Sequence, residues 1–211
     1  GHNYRDLKFK KNQTRINTNN LNKVLEIDEQ FIDCESAVTI GKVNRTTIQK
    51  KRIVPSLPEG DNFTVGGCLA GLGLGSSSYN HGFFSDNVID FDIVLGNGEI
   101  LREVSKTNNS ELYYGIPGTY GTLGIITRVK IKLIPCEKYV KVNYLHYNSF
   151  DRFYNEFKEK ITKRNDDFIE AFANKKTDYT IVVANFVDKI DKKNISIIKD
   201  KDILKQRHLT I

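Results

Sequence analysis

The chain has 211 residues, 39% of them hydrophobic and 27% charged, with a formal net charge of +6. This is the composition of an ordinary globular protein and excludes collagen-like, low-complexity and disulfide-dense classes. No apolar run reaches the ~20 residues that span a bilayer, and the basic residues are interleaved with acids, as in Asp188-Lys-Ile-Asp-Lys-Lys193, so no nucleic-acid partner is expected. Cys34, Cys68 and Cys136 are widely spaced and odd in number, with no CxxC and no metal-ligand pattern, which points to a reducing, intracellular setting and no metal site. The chain has no Met and opens at Gly1, so further sequence is expected on both sides.

Residues 15–33 read as polar turns around two short strands. Thr39 stands in the N-cap position of a short helix running to Lys50. The Lys50-Lys51-Arg52 cluster is expected to be solvated surface. Two prolines then hold IVPSLPEGDNF extended or turning.

The stretch from Thr64 to Ser78, TVGGCLAGLGLGSSS, is uncharged and carries Gly66, Gly67, Gly71, Gly73 and Gly75 followed by three serines. That glycine density argues against helix and strand alike. It suggests a loop whose successive exposed N–H groups form an anion-binding nest, with glycines letting a ligand approach the backbone. Val65, Cys68, Leu69, Leu72 and Leu74 are expected to be buried, which distinguishes the run from a flexible linker. The run is not a P-loop, since no Gly-Lys-Ser/Thr occurs, and its spacing departs from GxGxxG. A phosphate or pyrophosphate cradle on some other fold is the expectation.

Beyond it, Val88–Leu95 and Glu99–Val104 read as a hairpin around Gly96-Asn-Gly98. Asn108–Tyr114 suits one helical turn. Gly115–Leu123, GIPGTYGTL, is a second glycine loop, and Gly124–Leu133 alternates as a strand. Glycine is absent from 125 to 211. There Tyr139–Tyr147 reads as a strand, Phe150–Lys163 as a helix, and Asp167–Ala173 and Tyr179–Val187 as two further strands. The expected division is residues 1–136 and 137–211.

PSLPEGDNFTVGGCLAGLGLGSSSYNHGFF, the Asn97-Gly-Glu hairpin, GIPGTYGTLGIIT and Lys132-Leu-Ile-Pro135 together resemble the delta-24 sterol reductases, within the vanillyl-alcohol-oxidase type of FAD-binding proteins. The resemblance covers most of residues 8–190 and is strongest between 36 and 141. It implies an α+β fold: the second subdomain of such an FAD-binding domain, without its N-terminal subdomain, followed by the start of an α+β substrate cap. It implies FAD contacts at Thr64, Val65, Gly66, Gly67, Gly71, Gly73, Ser76, Ser77 and Gly82. The second loop resembles a segment wrapping the adenine and ribose, which adds Gly121, Gly124 and Ile125. Two positions depart from the family pattern: Gly75 stands where an acid is usual, and Tyr79 where a His is usual.

For function, the resemblance implies reduction of a carbon–carbon double bond in the side arm of a sterol, with NADPH reducing the flavin and a protein acid supplying a proton. The cofactor would carry the redox chemistry and the protein would orient and enclose the substrate. Tyr79, His81, Tyr113, Tyr120 and Tyr144 could donate protons, but no catalytic residue is assigned. Placement at the endoplasmic reticulum membrane is implied through parts of the protein outside these 211 residues. The competing readings are an FAD-dependent oxidase of a sugar, lactone or alcohol, and a non-catalytic structural protein that keeps the fold.

Overall fold

The computed structural model describes residues 16–189. They form an α+β structure in which every strand pairing is antiparallel. Strands β1 (Val24–Ile27), β2 (Phe31–Glu35), β4 (Val88–Leu95), β5 (Ile100–Ser105) and β6 (Gly124–Lys132) make one sheet in the order β1-β2-β6-β4-β5. The short strands β3 (Arg52–Ile53) and β7 (Ile134–Pro135) pair with each other.

One face of this sheet buries Ile32, Cys34, Phe91, Ile93, Val129 and Ile131 under two helices, α1 (Ile40–Ile48) and α2 (Val65–Ala70), and the backbone around Phe84. Period-two alternation produces that face directly, since apolar residues alternate with polar ones along β2, β4 and β6. The other face is polar. Arg128 on β6 reaches Asp33 on β2 at 2.8 Å and Asp90 and Asp92 on β4 at 2.8 and 3.1 Å. Helix α1 starts as expected, with Thr39 Oγ1 accepting from Lys42 N.

A further helix, α3 (Ser78–His81), and a 3-10 turn over Phe84–Asn87 lead into β4, and α4 (Ser110–Gly115) follows β5. Beyond Pro135 come β8 (Tyr139–Tyr147), α5 (Phe150–Lys163), β9 (Phe168–Lys175) and β10 (Asp178–Val187). These three strands form a second sheet in the order β8-β10-β9. Helix α5 covers one of its faces through Phe153, which packs with Ile169, Tyr179, Ile181 and Val183. On the opposite face Val140, Val142, Tyr144 and Phe172 are exposed.

Two expectations are corrected here. The glycine stretch contains a helix, α2, despite two glycines in six residues. The Lys50-Lys51-Arg52 cluster is surface only at its lysines. Arg52 is half-buried and donates through Nε to the Glu29 carbonyl at 2.9 Å and through Nη2 to the Glu29 carboxylate at 3.0 Å, tying β3 to the β1–β2 turn.

Candidate functional site

Helix α2 forms because its first turn is capped and docked. Thr64 Oγ1 accepts from Gly67 N at 3.2 Å, which answers one of the donors a helix start leaves free. Val65 N and Gly66 N donate instead to Val38 O and Ser36 O. Glycine is needed at 66 for closeness, since a Cβ there would come within 2.8 Å of Ser36 Cβ. The helix closes with Gly73 N donating back to Cys68 O while Leu72 takes a left-handed φ of 54°. Leucine thus stands in the left-handed position that glycine usually fills after a helix, with the 6→1 bond of a Schellman motif but not its second bond.

Serines then fix the following turn. Ser78 N donates to Gly75 O, and Gly75 N donates to Ser78 Oγ at 2.9 Å. Ser78 Oγ also lies 2.7 Å from Ser56 Oγ, and Ser77 Oγ donates to Pro55 O at 2.8 Å. The second glycine loop meets the first: Tyr120 N donates to Ala70 O at 3.0 Å, and Gly118 lies against the Leu72 side chain. Both Leu72 and Tyr120 are exposed. Tyr120, at φ 54°, and Gly121, at φ 84°, turn the second loop sharply.

This arrangement leaves a specific set of donors. Among the described residues, no acceptor meets the N–H groups of Leu72, Leu74, Ser76 and Ser77. No Lys or Arg occurs between Thr64 and Gly82. The loop pair therefore carries neutral backbone donors and, at Leu72 and Tyr120, exposed apolar side chains. That chemistry suits a ligand with an anionic part and a flat apolar part.

The expected site residues divide accordingly. Ser76, half-buried, and Ser77, buried, carry N–H groups without an acceptor among the described residues, and Gly67 and Gly121 are exposed. At Gly67 a Cβ would meet only Thr64 Oγ1, at 2.9 Å. Thr64 caps α2 and Val65 lies in the core. Gly71 and Gly73 are held close to their own backbone: a Cβ at Gly71 would approach Gly67 O at 2.8 Å, and one at Gly73 would approach Cys68 Cβ at 3.1 Å. Their lack of a side chain therefore serves the helix ending. Gly82 takes a φ of 73° and sits on Asp86, while a Cβ at Gly124, beside half-buried Ile125, would come within 2.6 Å of Val94 O.

The expected run of exposed N–H groups is likewise interrupted, because Val65, Gly66, Gly67, Cys68, Gly71, Gly73 and Gly75 all have partners. Leu72 and Leu74, expected to be buried, are 40% and 58% exposed. Sequence reasoning passed over Leu72 and Leu74 as donors and Tyr120 as an apolar contact. The signal that could have found them is the alternation of bonded glycines with leucines.

Among the possible proton donors, Tyr113 is buried, its hydroxyl donates to Val88 O at 2.6 Å, and burial pushes its pKa up to about 12. Tyr79 donates its hydroxyl to Asp166 O, and burial raises its pKa. His81 is half-buried, and burial lowers its pKa, with Lys132 adding to the effect and Asp167 opposing it. Tyr120 is exposed in the second loop, whereas exposed Tyr144 stands on the open face of the second sheet. The thiols of Cys34 and Cys68 are buried and pushed up to about 12 by that burial. No group of His, Cys, Asp and Glu among the described residues could hold a metal ion, and no described helix is long and apolar enough to cross a membrane.

Comparison with known proteins finds the following relatives. Residues 1–103 match the FAD binding domain family, a match that includes the first glycine loop and ends before the second. The chain is 31% identical over 193 residues to a delta(24)-sterol reductase homolog of Caenorhabditis elegans, covering 85% of this chain and 37% of that protein. It is 30% identical over 193 residues to the delta(24)-sterol reductase of Homo sapiens, covering 90% of this chain and 37% of that protein. It is also 30% identical over 148 residues to cytokinin dehydrogenase 5 of Arabidopsis thaliana, covering 69% of this chain and 27% of that protein. The chain thus spans 37% of the length of the two sterol reductase relatives.

Proposed function

Because this chain is a homologue of the delta(24)-sterol reductases and holds a match to the FAD binding domain family, we propose that it is part of an FAD-dependent oxidoreductase that reduces a carbon–carbon double bond in the side arm of a sterol. The observation that carries the proposal is the set of free N–H groups at Leu72, Leu74, Ser76 and Ser77 in a loop pair that also exposes Leu72 and Tyr120. A pyrophosphate is a ligand for such neutral donors, and a flat ring system is one for the apolar side chains. The fit favours FAD over a free phosphate, which would leave the apolar neighbours uncovered.

In this reading the N–H groups of Ser76 and Ser77 hold the pyrophosphate, Gly67 and Gly121 leave room for it, and Leu72 and Tyr120 cover its apolar portion. Thr64, Val65, Gly66, Gly71, Gly73, Gly82, Gly124 and Ile125 shape the two loops behind those contacts. Bound FAD supplies the redox chemistry, with NADPH as its reductant. Residues 1–136 form the cofactor part and residues 137–211 begin the substrate part. A sterol is the substrate class by homology, and placement at the endoplasmic reticulum membrane belongs to the same reading.

The relation to a cytokinin dehydrogenase supports a second reading, FAD-dependent oxidation on the same fold. Flavin absorbance recorded before and after anaerobic NADPH separates the two. A flavin spectrum that bleaches with NADPH supports the reductase. A flavin indifferent to NADPH but reoxidised by oxygen after substrate supports oxidation. A purified protein that neither carries nor takes up FAD overturns both.

A further inference from the structure

The peptide plane joining Ser76 to Ser77 is held from outside the glycine loop. Ile169 N, at the start of β9, donates to Ser76 O at 2.9 Å. That N–H is spare because β9 is an edge strand, hydrogen-bonded to β10 on one side only. In a trans peptide the carbonyl and the next N–H point in opposite directions. Fixing the Ser76 carbonyl on the second sheet therefore turns the Ser77 N–H, one of the free donors, away from that sheet.

Two side chains of the loop grip the same place. Tyr79 Oη and Asn80 Nδ2 both donate to Asp166 O, the latter at 3.0 Å. Tyr79 also packs against the core under α5. Asp166 is itself held: its Oδ1 accepts from Asn185 Nδ2 at 2.8 Å, Asp167 N donates to Asn185 Oδ1 at 3.0 Å, and Phe186 N donates to Asp167 Oδ2 at 2.7 Å. The 166–169 segment is thus anchored on β10 and presents one acceptor and one donor to the loop.

We infer that residues 166–169 are a positioning element for the anion cradle, acting through Tyr79, Asn80 and the Ser76 carbonyl to aim the Ser77 N–H at the ligand. Residues 139–187 then do more than begin a substrate part, because their docking and ligand binding at the glycine loop are energetically coupled. Coupling is reciprocal: ligand in the cradle must stabilise the 166–169 contact as much as the contact strengthens the ligand. The identity of the ligand, FAD, rests on the function proposed above.

The test uses the full chain and FAD, with affinity read by flavin fluorescence and hydrogen exchange followed over residues 166–187. Loss of both side-chain bonds in Tyr79→Phe/Asn80→Ala is expected to weaken FAD about tenfold. FAD is expected to slow exchange at the start of β9 in the wild type and not in the double variant. Tyr144→Phe, on the open face of the second sheet, should change neither readout. Unchanged affinity together with unchanged exchange protection in the double variant overturns the positioning role and leaves the flavin reading standing. A wild-type protein that binds no FAD removes the flavin reading and this inference with it. If circular dichroism shows the double variant unfolded, Tyr79→Phe alone decides by the same two readouts, since it keeps the ring in the core.

Discussion

At the scale of single residues, Gly75 shows how a departure from a family pattern is fixed by packing. A Cβ at this position would overlap the carbonyl oxygen of Leu57, and the serine turn that follows leaves no slack, because Ser77 and Ser78 are bonded to Pro55 and Ser56. An acid here would have to push the Pro55–Pro58 segment away. Gly75→Ala is therefore expected to cost about 1–3 kcal/mol, the usual penalty of overpacking, measured as a lowered midpoint in urea. A variant as stable as the wild type would mean that the segment yields freely. His81 gives a second residue-scale expectation. Its folded pKa lies below the usual histidine value because burial disfavours the charged ring. The folded state thus binds fewer protons there than the unfolded state, so its contribution to stability is present above the unfolded pKa and fades as pH falls through the window just below about 6.5. The wild type should lose stability relative to His81→Gln between about pH 7 and about pH 5, as followed by thermal melts. Parallel curves would show that the ring is not desolvated.

At the scale of elements, the clearest dependence is the tie across β2, β6 and β4. Arg128 is half-buried and shared by three aspartates, of which Asp33 and Asp92 are buried. Burial works to lower its pKa, but hydrogen bonds and charge from Asp33 and Asp90 outweigh it and raise it above the usual arginine value. Arg102 at 3.0 Å and Glu103 N at 3.0 Å complete the partners of Asp92. Arg128→Gln would leave three carboxylates close together on one face with little to compensate them. The expected loss is about 3–5 kcal/mol, the range for breaking a buried pair from one side, read from urea unfolding. A loss below about 1 kcal/mol would place this cluster with exposed pairs. The strands themselves were legible in sequence: alternation gave β6, β8 and β10 to within a residue or so, and the Phe150, Phe153, Phe157, Ile161 spacing gave α5. Helix α2 was not legible, because glycine count speaks to propensity while the helix is held by the Thr64 cap and by contact with Ser36, a partner 30 residues away in sequence. The Arg128 network was hidden for a related reason. Alternation marks a polar face, but pairing register decides which polar residues meet.

At the scale of the whole molecule, the net charge of +6 and the neutral cradle make opposing claims about how an anion is held. If scattered lysines drew and bound the phosphates, affinity would fall steeply with salt, because exposed charges are screened within about 10 Å at ordinary ionic strength. The proposed site instead gives the phosphates to backbone N–H groups on a segment without Lys or Arg. Nor is Arg52 free to help, since Glu29 holds it. Some of this was readable from the sequence, where the uncharged glycine-serine run already marked the loop. The bonded glycines and free leucine and serine donors were not, because which N–H groups remain open depends on how the helix ends and on the serine turn that follows it. Two results are then expected together. Neutralising exposed Lys50 and Lys51 to alanine should leave FAD affinity within about twofold, and raising salt from low to about 0.5 M should weaken it by no more than a few-fold. Titrations monitored by flavin fluorescence decide the matter. A steep salt dependence with intact binding in the lysine variant would move the phosphate contacts to other cations, with Lys42 the first to test: it lies near Thr64 in a cleft of about 430 Å³, and its Nζ donates to Asn22 O. A shallow dependence would leave the neutral donors of the two glycine loops as the seat of affinity, and would explain how a basic protein holds a dinucleotide through its least charged segment.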